Sequence, residues 1–348
     1  MLTDRLDFVI GVDTHRDSHS LAVVVSPSGA RLTETQTAAS KVGYMRALAF
    51  AREHAPVRRA WAIEGSGSYG KGLARYLERS GELVYEVERP RRSKRRPHAK
   101  SDSIDALRAA RFLLSKEKPV APRQAGRREA LRVLLQVRSS ALAARKTALA
   151  QLRALLVTCP EPLRTELRSL TRVRLLARAR GFRIRAGGEP ELVSTLLALR
   201  LLSRRIADLS EEISLCEKEI AAYVGEMAPW LLAERGVGPI CAAQVLVSWS
   251  HQGRFSHEAA FAKLAGVSPI PASSGQVVRW RLDRTGDRRL NYALHMIVLS
   301  RRQHHPETIS YIERRVREGK SEREAVRCLK RYLARHLFRL LEEGVVVA

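Results

Sequence analysis

Four acidic residues in the first third of the chain lie at the ends of predicted strands or at the start of a predicted helix, where carboxylates can take part in catalysis. Asp13 ends the apolar segment DFVIGVD and Glu64 ends the segment RRAWAIE, and both segments are predicted to be β-strands. Asp102 and Asp105 lie three residues apart at the start of the predicted helix SDSIDALRAARFLLSKE, so they project from one face of it. Carboxylates at the carboxyl ends of neighbouring strands point into one crevice. The four acids therefore predict a Mg²⁺ or Mn²⁺ site suited to phosphodiester chemistry.

Each of these acids, taken alone, has a simpler interpretation as a surface group or a helix cap. For Asp102 the simpler role is a first-turn acid that stabilises the helix dipole. The combination is more informative, because Asp13 and Glu64 follow apolar strands in which no turn requires an acid. The segment RPRRSKRRPHAK directly precedes Asp102 and is predicted to be a loop or an arm that holds a polyanion. Its candidate nucleic-acid contacts are Arg91, Arg92, Lys94, Arg95, Arg96 and Lys100.

Two segments of the last third of the chain could also contact phosphate. The turn from Gly236 to Gly238 joins two predicted helices, as in a helix-hairpin-helix element, and exposes backbone N–H groups that can bind a DNA phosphate. A tight helical turn explains the same glycines equally well. The pair Ser273 and Ser274 lies in a polar loop, where a serine can attack a phosphodiester if it is deprotonated or near a metal. Arginines that would stabilise the resulting charge follow at Arg279, Arg281, Arg284, Arg288 and Arg289.

The charge of the chain is concentrated in one region. The 348 residues carry a formal net charge of +26, and residues 89–205 alone contribute +22 of it. A GC-rich genome would raise the arginine content everywhere, so the concentration of positive charge in one region indicates a nucleic-acid partner.

No apolar run approaches the ~18 residues of a membrane span. The four cysteines are far apart, which argues against a disulfide framework or a zinc site, and we expect a cytoplasmic, nucleoid-associated protein without a signal peptide.

The order of predicted elements divides the chain into three regions. Residues 1–118 alternate strands and helices and predict an α/β domain. Residues 119–227 contain two long amphipathic helices joined by a break, which predicts an antiparallel coiled-coil arm, with an ordinary helical bundle as the alternative. Residues 228–348 are mainly helical and contain the glycine turn and the serine loop.

Several motifs, in order along nearly the whole chain, resemble one known family. They are GVDTHRDSHSLAVV, AIEGSGSYG and KSDSIDALRAA in the first half, and RGVGPICAAQVL and FAKLAGVSPIPASSGQVVRWRLDRTGDRRLNYALHMI in the second. The chain resembles the DEDD-type transposases of bacterial insertion sequences, which are relatives of the Piv DNA invertase and include bridge-RNA-guided recombinases.

The resemblance implies a fold, a site and partners. It implies an RNase H-like, RuvC-like first domain whose acidic tetrad is Asp13, Glu64, Asp102 and Asp105, with Mg²⁺ or Mn²⁺ as cofactor. It implies that Ser274 is the nucleophile, with Ser273 beside it as the other possibility. It also implies a coiled-coil linker for subunit pairing, dimers that assemble into tetramers with acids and serine from different subunits, and a guide RNA that pairs with donor and target DNA.

Three functions therefore remain open on the sequence. The first is a transposase or recombinase that uses the tetrad and Ser274, of which a site-specific invertase without RNA is a variant. The second is a structure-selective nuclease of the Holliday-junction type, in which water replaces the serine. The third is a nucleic-acid-binding protein without catalysis, in which the acids serve only the fold.

Overall fold

The computed structural model describes residues 4–87, 102–184, 187–272, 280–281 and 283–344, with the backbone alone for residues 102 and 103. The chain separates into two compact units, Met1–Ala125 and Gly126–Ala348. The candidate contacts of the basic segment 89–100, the two serines at positions 273 and 274, and Arg279 lie outside the described residues.

Unit 1 is a mixed five-stranded sheet with helices on both faces. The strands follow the order β3-β2-β1-β4-β5, in which β1 pairs antiparallel with β2 and parallel with β4. The strand β1 is thus central, which explains why its sequence is apolar almost throughout. The elements are β1 (Phe8–Thr14), β2 (Ser18–Val25), β3 (Ala30–Ala38), α1 (Lys41–His54), β4 (Arg59–Glu64), α2 (Lys71–Arg79), β5 (Leu83–Val87) and α3 (Asp102–Leu114).

Alternation along β1 and β4 assigns their residues to the two faces of the sheet. Ile10 and Val12 pack with residues of α1 and α2 on one face. Val9 of β1 and Ala62 of β4 pack with α3 on the other face, around a core that includes Leu113. Residues of odd number in β1 and even number in β4 therefore point towards α3.

Unit 2 begins with a pair of long antiparallel helices. Arg138 of the helix α4 (Arg127–Thr158) pairs with Glu217 of the helix α7 (Pro190–Met227). About two turns further along α4, Arg145 donates a hydrogen bond to Ser210 of α7. Residue numbers rise along α4 while those of the contacting residues fall along α7, so the two helices are antiparallel. Two short helices, α5 and α6, pack on the distal ends of this pair and fill the break that the sequence predicts there. The bounds are α4 (Arg127–Thr158), α5 (Glu161–Arg168), α6 (Arg172–Arg180) and α7 (Pro190–Met227).

The rest of unit 2 is a helical core with one small hairpin. The strands β6 (Ile270–Pro271) and β7 (Trp280–Arg281) pair antiparallel on either side of the serine loop. The sequence pattern predicts only a loop here, because each strand has two residues. The helix α12 is also absent from the sequence prediction. The elements are α8 (Pro229–Ala233), α9 (Pro239–Trp249), α10 (Glu258–Leu264), β6 (Ile270–Pro271), β7 (Trp280–Arg281), α11 (Arg288–His304), α12 (Pro306–Arg317) and α13 (Glu322–Glu343).

Among the helices that the structure describes, none is long and apolar enough to cross a membrane.

Candidate active site

Asp13 and Glu64 lie side by side at one edge of the unit 1 sheet. The parallel register of β1 and β4 pairs Val12 with Ile63, so one further residue sets Asp13 beside Glu64. The hydroxyl of Thr14 donates a hydrogen bond of 2.8 Å to the Glu64 carbonyl oxygen, which holds the two strand ends together. By the alternation of the strands, both acids are on the face that carries α3. The sequence prediction that these two strand ends converge is thus consistent with the sheet order.

Asp13 is a buried acid with a histidine neighbour. Only 4% of Asp13 is exposed. Its Oδ2 atom lies 3.1 Å from Nε2 of His15, which is about half exposed. A buried carboxylate is costly unless it is hydrogen-bonded or coordinates a cation, and the contact with His15 offsets part of this cost.

Gly11 allows α3 to lie directly against the central strand. A Cβ atom on Gly11 would be 1.9 Å from the Ala106 carbonyl oxygen and 2.7 Å from the Ala110 nitrogen. Only a residue without a side chain fits such an approach. Gly11 is two residues before Asp13 on the same face, and Ala106 is one helical turn after Asp102. The close contact therefore brings the start of α3 towards the edge where Asp13 and Glu64 lie.

The two aspartates of α3 differ in what the structure describes. Asp102 is the first residue of the helix and only its backbone is described. The carboxylate of Asp105 is partly exposed and forms an ion pair of 2.9 Å with Arg108, one turn along the helix. Among the described side chains no group of three or more acids, histidines or cysteines is arranged to hold a metal ion. The tetrad predicted from the sequence thus has two members paired on the sheet and two at the start of the neighbouring helix.

The donor chemistry of this edge suits a hard divalent cation. Carboxylate oxygens are the preferred ligands of Mg²⁺ and Mn²⁺. The buried Asp13 and the adjacent Glu64 supply such oxygens, and the contact at Gly11 determines how near the acids of α3 approach. Of the four acids predicted as ligands, Asp13 and Glu64 are the two that the described part of the structure sets side by side.

A basic cleft of about 900 Å³ lies in unit 2 beside the hairpin that brackets the serine loop. The sequence candidates Arg281, Arg284 and Arg288 line it. Its floor contains Lys330, a mostly buried lysine whose Nζ donates a hydrogen bond of 2.6 Å to Oδ1 of Asn291. Burial lowers the pKa of Lys330. The amide of Asn291 is itself held by the Ala265 carbonyl oxygen at 2.7 Å.

Only one of the two glycines in the turn of unit 2 is required by its surroundings in the described structure. Gly236 adopts a φ of +76°, and a Cβ atom there would be 3.0 Å from the Ile297 carbonyl oxygen of α11. A side chain at Gly236 would be strained, whatever the turn binds. Gly238 precedes α9, and a Cβ atom there would meet nothing within 4 Å, so no contact of the described residues requires a glycine at this position.

Three residues of these sites are not among the residues predicted from the sequence. His15 follows Asp13 by two residues, a spacing that could have been noticed beside the acid. Lys330 and Asn291 are 39 residues apart on two different helices, and neither has a local pattern that separates it from other polar residues of an amphipathic helix.

Two family models match the chain. Residues 230–313 match the model described as the transposase IS116/IS110/IS902 family. Residues 10–160 match a second transposase model, the DEDD transposase domain of the IS110 type. This second match begins in β1 and extends into α4, so it includes the acidic edge of unit 1. No curated protein sequence matches the chain.

The sheet and the two matches define a DNA transposase or recombinase, an enzyme that binds DNA. Its first unit is an RNase H-like α/β domain, which the mixed sheet of order β3-β2-β1-β4-β5 fits. The chain belongs to the IS110 family of transposases. The fold class expected from the sequence is therefore confirmed for the N-terminal α/β unit and for the mainly helical C-terminal part.

Proposed function

We propose that this transposase cuts and rejoins the DNA of its insertion sequence with a divalent metal ion at the acidic edge of unit 1 and with Ser274 as the nucleophile. The observation that carries the metal part is the pairing of Asp13 and Glu64 on the face covered by α3. A bound divalent ion would polarise the phosphodiester and neutralise charge that develops on its oxygens.

The residues of the chain have separate tasks in this reaction. Asp13, Glu64, Asp102 and Asp105 would hold the ion. His15, which contacts Asp13, would orient that carboxylate. The Gly11 contact holds α3 against the central strand, and by this contact the acids of the sheet and of α3 would come together in one site. The ion pair between Asp105 and Arg108 would have to open if Asp105 binds the metal.

The serine step conserves the energy of the phosphodiester. The Oγ atom of Ser274 would attack the phosphorus, a new Oγ–P bond would form, and the bond from phosphorus to the leaving sugar oxygen would break. The Ser274 hydroxyl would lose its proton as it attacks, and the leaving oxygen would take up one proton and become a hydroxyl. Attack by the hydroxyl of a second DNA end would then break the Oγ–P bond, join the two DNA ends and return a proton to Oγ. No ATP is needed. Arg281, Arg284 and Arg288, which line the adjacent cleft, would stabilise charge on the phosphate, together with Arg279 of the loop.

The Ser274→Ala variant tests the nucleophile. We expect it to lose joined DNA products and the covalent protein–DNA link, because a methyl group cannot attack phosphorus, while DNA binding persists. Denaturing gels of labelled element ends report both products. Ser273→Ala is the matched control and should retain the link. Cutting that persists in the Ser274→Ala variant would instead favour a nuclease of the resolvase type that uses water.

We further propose that the enzyme acts with a guide RNA and as paired dimers. The concentration of positive charge in residues 89–205 supports a structured polyanion as partner, with DNA phosphates as the alternative. The antiparallel helices α4 and α7 would serve as a coiled-coil arm between subunits, within a linker region of residues 119–227 between domains of residues 1–118 and 228–348.

Purification from cells that carry the native flanking DNA tests the RNA partner. We expect one discrete RNA from the flank to copurify, and sequencing of the bound RNA is the measurement. Bulk cellular RNA, or no RNA, would contradict the guided reaction and would favour an enzyme that reads DNA itself, as a site-specific invertase does. The Arg91→Ala and Arg92→Ala double variant should reduce the yield of the discrete RNA if the basic segment contacts it.

A further inference from the structure

The unit 2 cleft combines positive charge with exposed aromatic rings. Eight of its lining residues are lysine or arginine and two are acidic. Three aromatic side chains stand on three different elements around it, namely Trp280 on β7, Tyr292 on α11 and Tyr332 on α13. Each is more than half exposed, with 62% for Trp280 and 65% for Tyr292. Large aromatic rings left in water beside cations need a reason other than the core of the fold.

Most of the basic side chains of the cleft are accessible to an anion, whereas its two acids are engaged in hydrogen bonds within their own turns. Asp283 accepts hydrogen bonds from the backbone and the hydroxyl of Thr285 in its own turn. Glu324 accepts from the hydroxyl and the backbone nitrogen of Ser321 in the cap of α13. Both acids are thus engaged locally, whereas the arginines project from exposed positions. Those that line the cleft from exposed or partly exposed positions include Arg281, Arg284, Arg288, Arg327 and Arg331.

The helices present their lining residues as continuous stripes. On α11 the lining positions 288, 291, 292 and 295 follow the three- and four-residue spacing of one helix face. On α13 the lining positions 324, 327, 328 and 331 follow the same spacing, and Lys330 and Tyr332 line the cleft beside them. Each stripe joins arginine to other polar side chains, and each has a tyrosine at or beside it. Such a groove offers phosphate contacts along its length and ring faces between them.

We propose that this cleft binds an unpaired stretch of a nucleic-acid strand, with bases stacked on Trp280 and Tyr292 and phosphates held by the surrounding arginines. A positively charged groove with aromatic platforms is the arrangement that recognises single strands, because every base has a ring face that can stack. In a duplex the bases stack on one another and leave no free face for these rings. The volume of about 900 Å³ lies within the range of ligand clefts, roughly 300–1,000 Å³, which suits a short stretch of a few nucleotides.

The position of the cleft gives this binding a role in the reaction. It adjoins the hairpin strands that bracket residues 273–279, which contain Ser274. Unpaired nucleotides next to a cutting site arise whenever strands are separated for exchange, and the same chemistry occurs in the loops of an RNA. This inference rests on the DNA-binding enzyme class and on the described lining of the cleft. It does not depend on which serine or which acids carry out the chemistry.

Trp280 supplies a local reporter for the test. Trp61 and Trp249 are buried and Trp230 is partly buried, so Trp280 is the tryptophan that a bound base reaches. The wild-type chain in EDTA is titrated with four ligands of equal length: single-stranded DNA, RNA of the same sequence, the DNA duplex, and a DNA backbone without bases. High salt suppresses contacts that depend on phosphate alone. The Trp280→Phe variant shows which part of the fluorescence change comes from Trp280.

We expect a single strand to quench Trp280 at concentrations at which the duplex and the base-free backbone do not. Tyr292→Ala should shift the midpoint of quenching about 5- to 150-fold higher, the loss expected from one stacked base. Tyr292→Phe retains the ring and should leave the midpoint unchanged. Tighter binding of the DNA or of the RNA strand identifies which of the two occupies the cleft, and either result supports the proposal.

Equal quenching by the base-free backbone, or an unchanged midpoint in the Tyr292→Ala variant, would overturn the stacking. Equal quenching by the duplex would overturn the preference for unpaired strands. The thermal midpoint of each variant shows whether it is folded, and both substitutions are at exposed positions. Because quenching is measured without strand cutting, a failed serine or metal assignment leaves this test unaffected.

Discussion

Replacement of Asp13 by asparagine is expected to reduce DNA cutting by about 1,000-fold or more while DNA binding stays at the wild-type level. The substitution preserves the size of the side chain and removes its charge. Charge stabilisation by a metal ion contributes several kcal/mol to a phosphodiester transition state, and each 1.36 kcal/mol is a factor of ten in rate. Asp13 is the most directly testable member of the tetrad because it is buried and adjoins Glu64 through the strand register.

Cutting of labelled element ends in Mg²⁺, together with a gel-shift assay, measures both parts of this prediction. The matched control is Asp17→Asn, since Asp17 is four residues away, well exposed and paired only with the exposed Arg16 at 3.7 Å among described ion pairs. It should cut like the wild type. A second readout is the thermal midpoint in Mn²⁺, which should rise for the wild type and not for the Asp13 variant. Normal cutting by a folded Asp13→Asn protein would remove Asp13 from the site.

The second large effect is expected from Gly11→Ala, a change that adds one methyl group and alters no charge. The new Cβ atom would overlap the Ala106 carbonyl oxygen at 1.9 Å, and the obstacle is helix backbone, which cannot rotate away. Overpacking of a core typically costs about 1–3 kcal/mol and sometimes more. The helix α3 must therefore move away from β1 or the sheet must distort, and unit 1 should lose stability by at least that amount.

The same variant should lose cutting beyond what its stability explains. Asp102 and Asp105 are on α3, whereas Asp13 and Glu64 are on the sheet, so a displaced helix separates the two halves of the tetrad. A misplacement of about 1 Å can cost roughly 100-fold in rate. Activity assayed well below the unfolding temperature, beside denaturant unfolding curves, separates the two effects.

Gly67→Ala is the control for this pair of measurements. Gly67 lies in the loop after β4, and a Cβ atom there meets nothing within 4 Å. It should leave both stability and cutting close to wild type. A Gly11→Ala protein with wild-type stability would show that α3 tolerates displacement, and one that is destabilised but fully active would show that its acids are not needed at the sheet edge.

Much of unit 1 could be predicted from the sequence, because the patterns that specify its strands and helices are local. Central strands buried on both faces are continuous apolar runs, so β1 and β4 are visible without a structure, and so are the acids that end them. The two long helices of unit 2 are visible for the same reason, since their apolar spacing extends over many turns. Elements with a short or weak sequence pattern were not predicted, namely the two-residue strands β6 and β7 and the helix α12.

What the sequence determined by itself was therefore the type and order of the main elements, the acids at the ends of two strands, and the concentration of charge in residues 89–205. The tertiary structure alone decided which of these meet. The pairing of β1 with β4, which are separated in the chain by β2, β3 and α1, joins residues that are far apart in the sequence. The approach of α3 permitted by Gly11 and the contact of Lys330 with Asn291 do the same. Local patterns specify how each segment folds, whereas such contacts depend on the packing of whole elements, and no single segment encodes them.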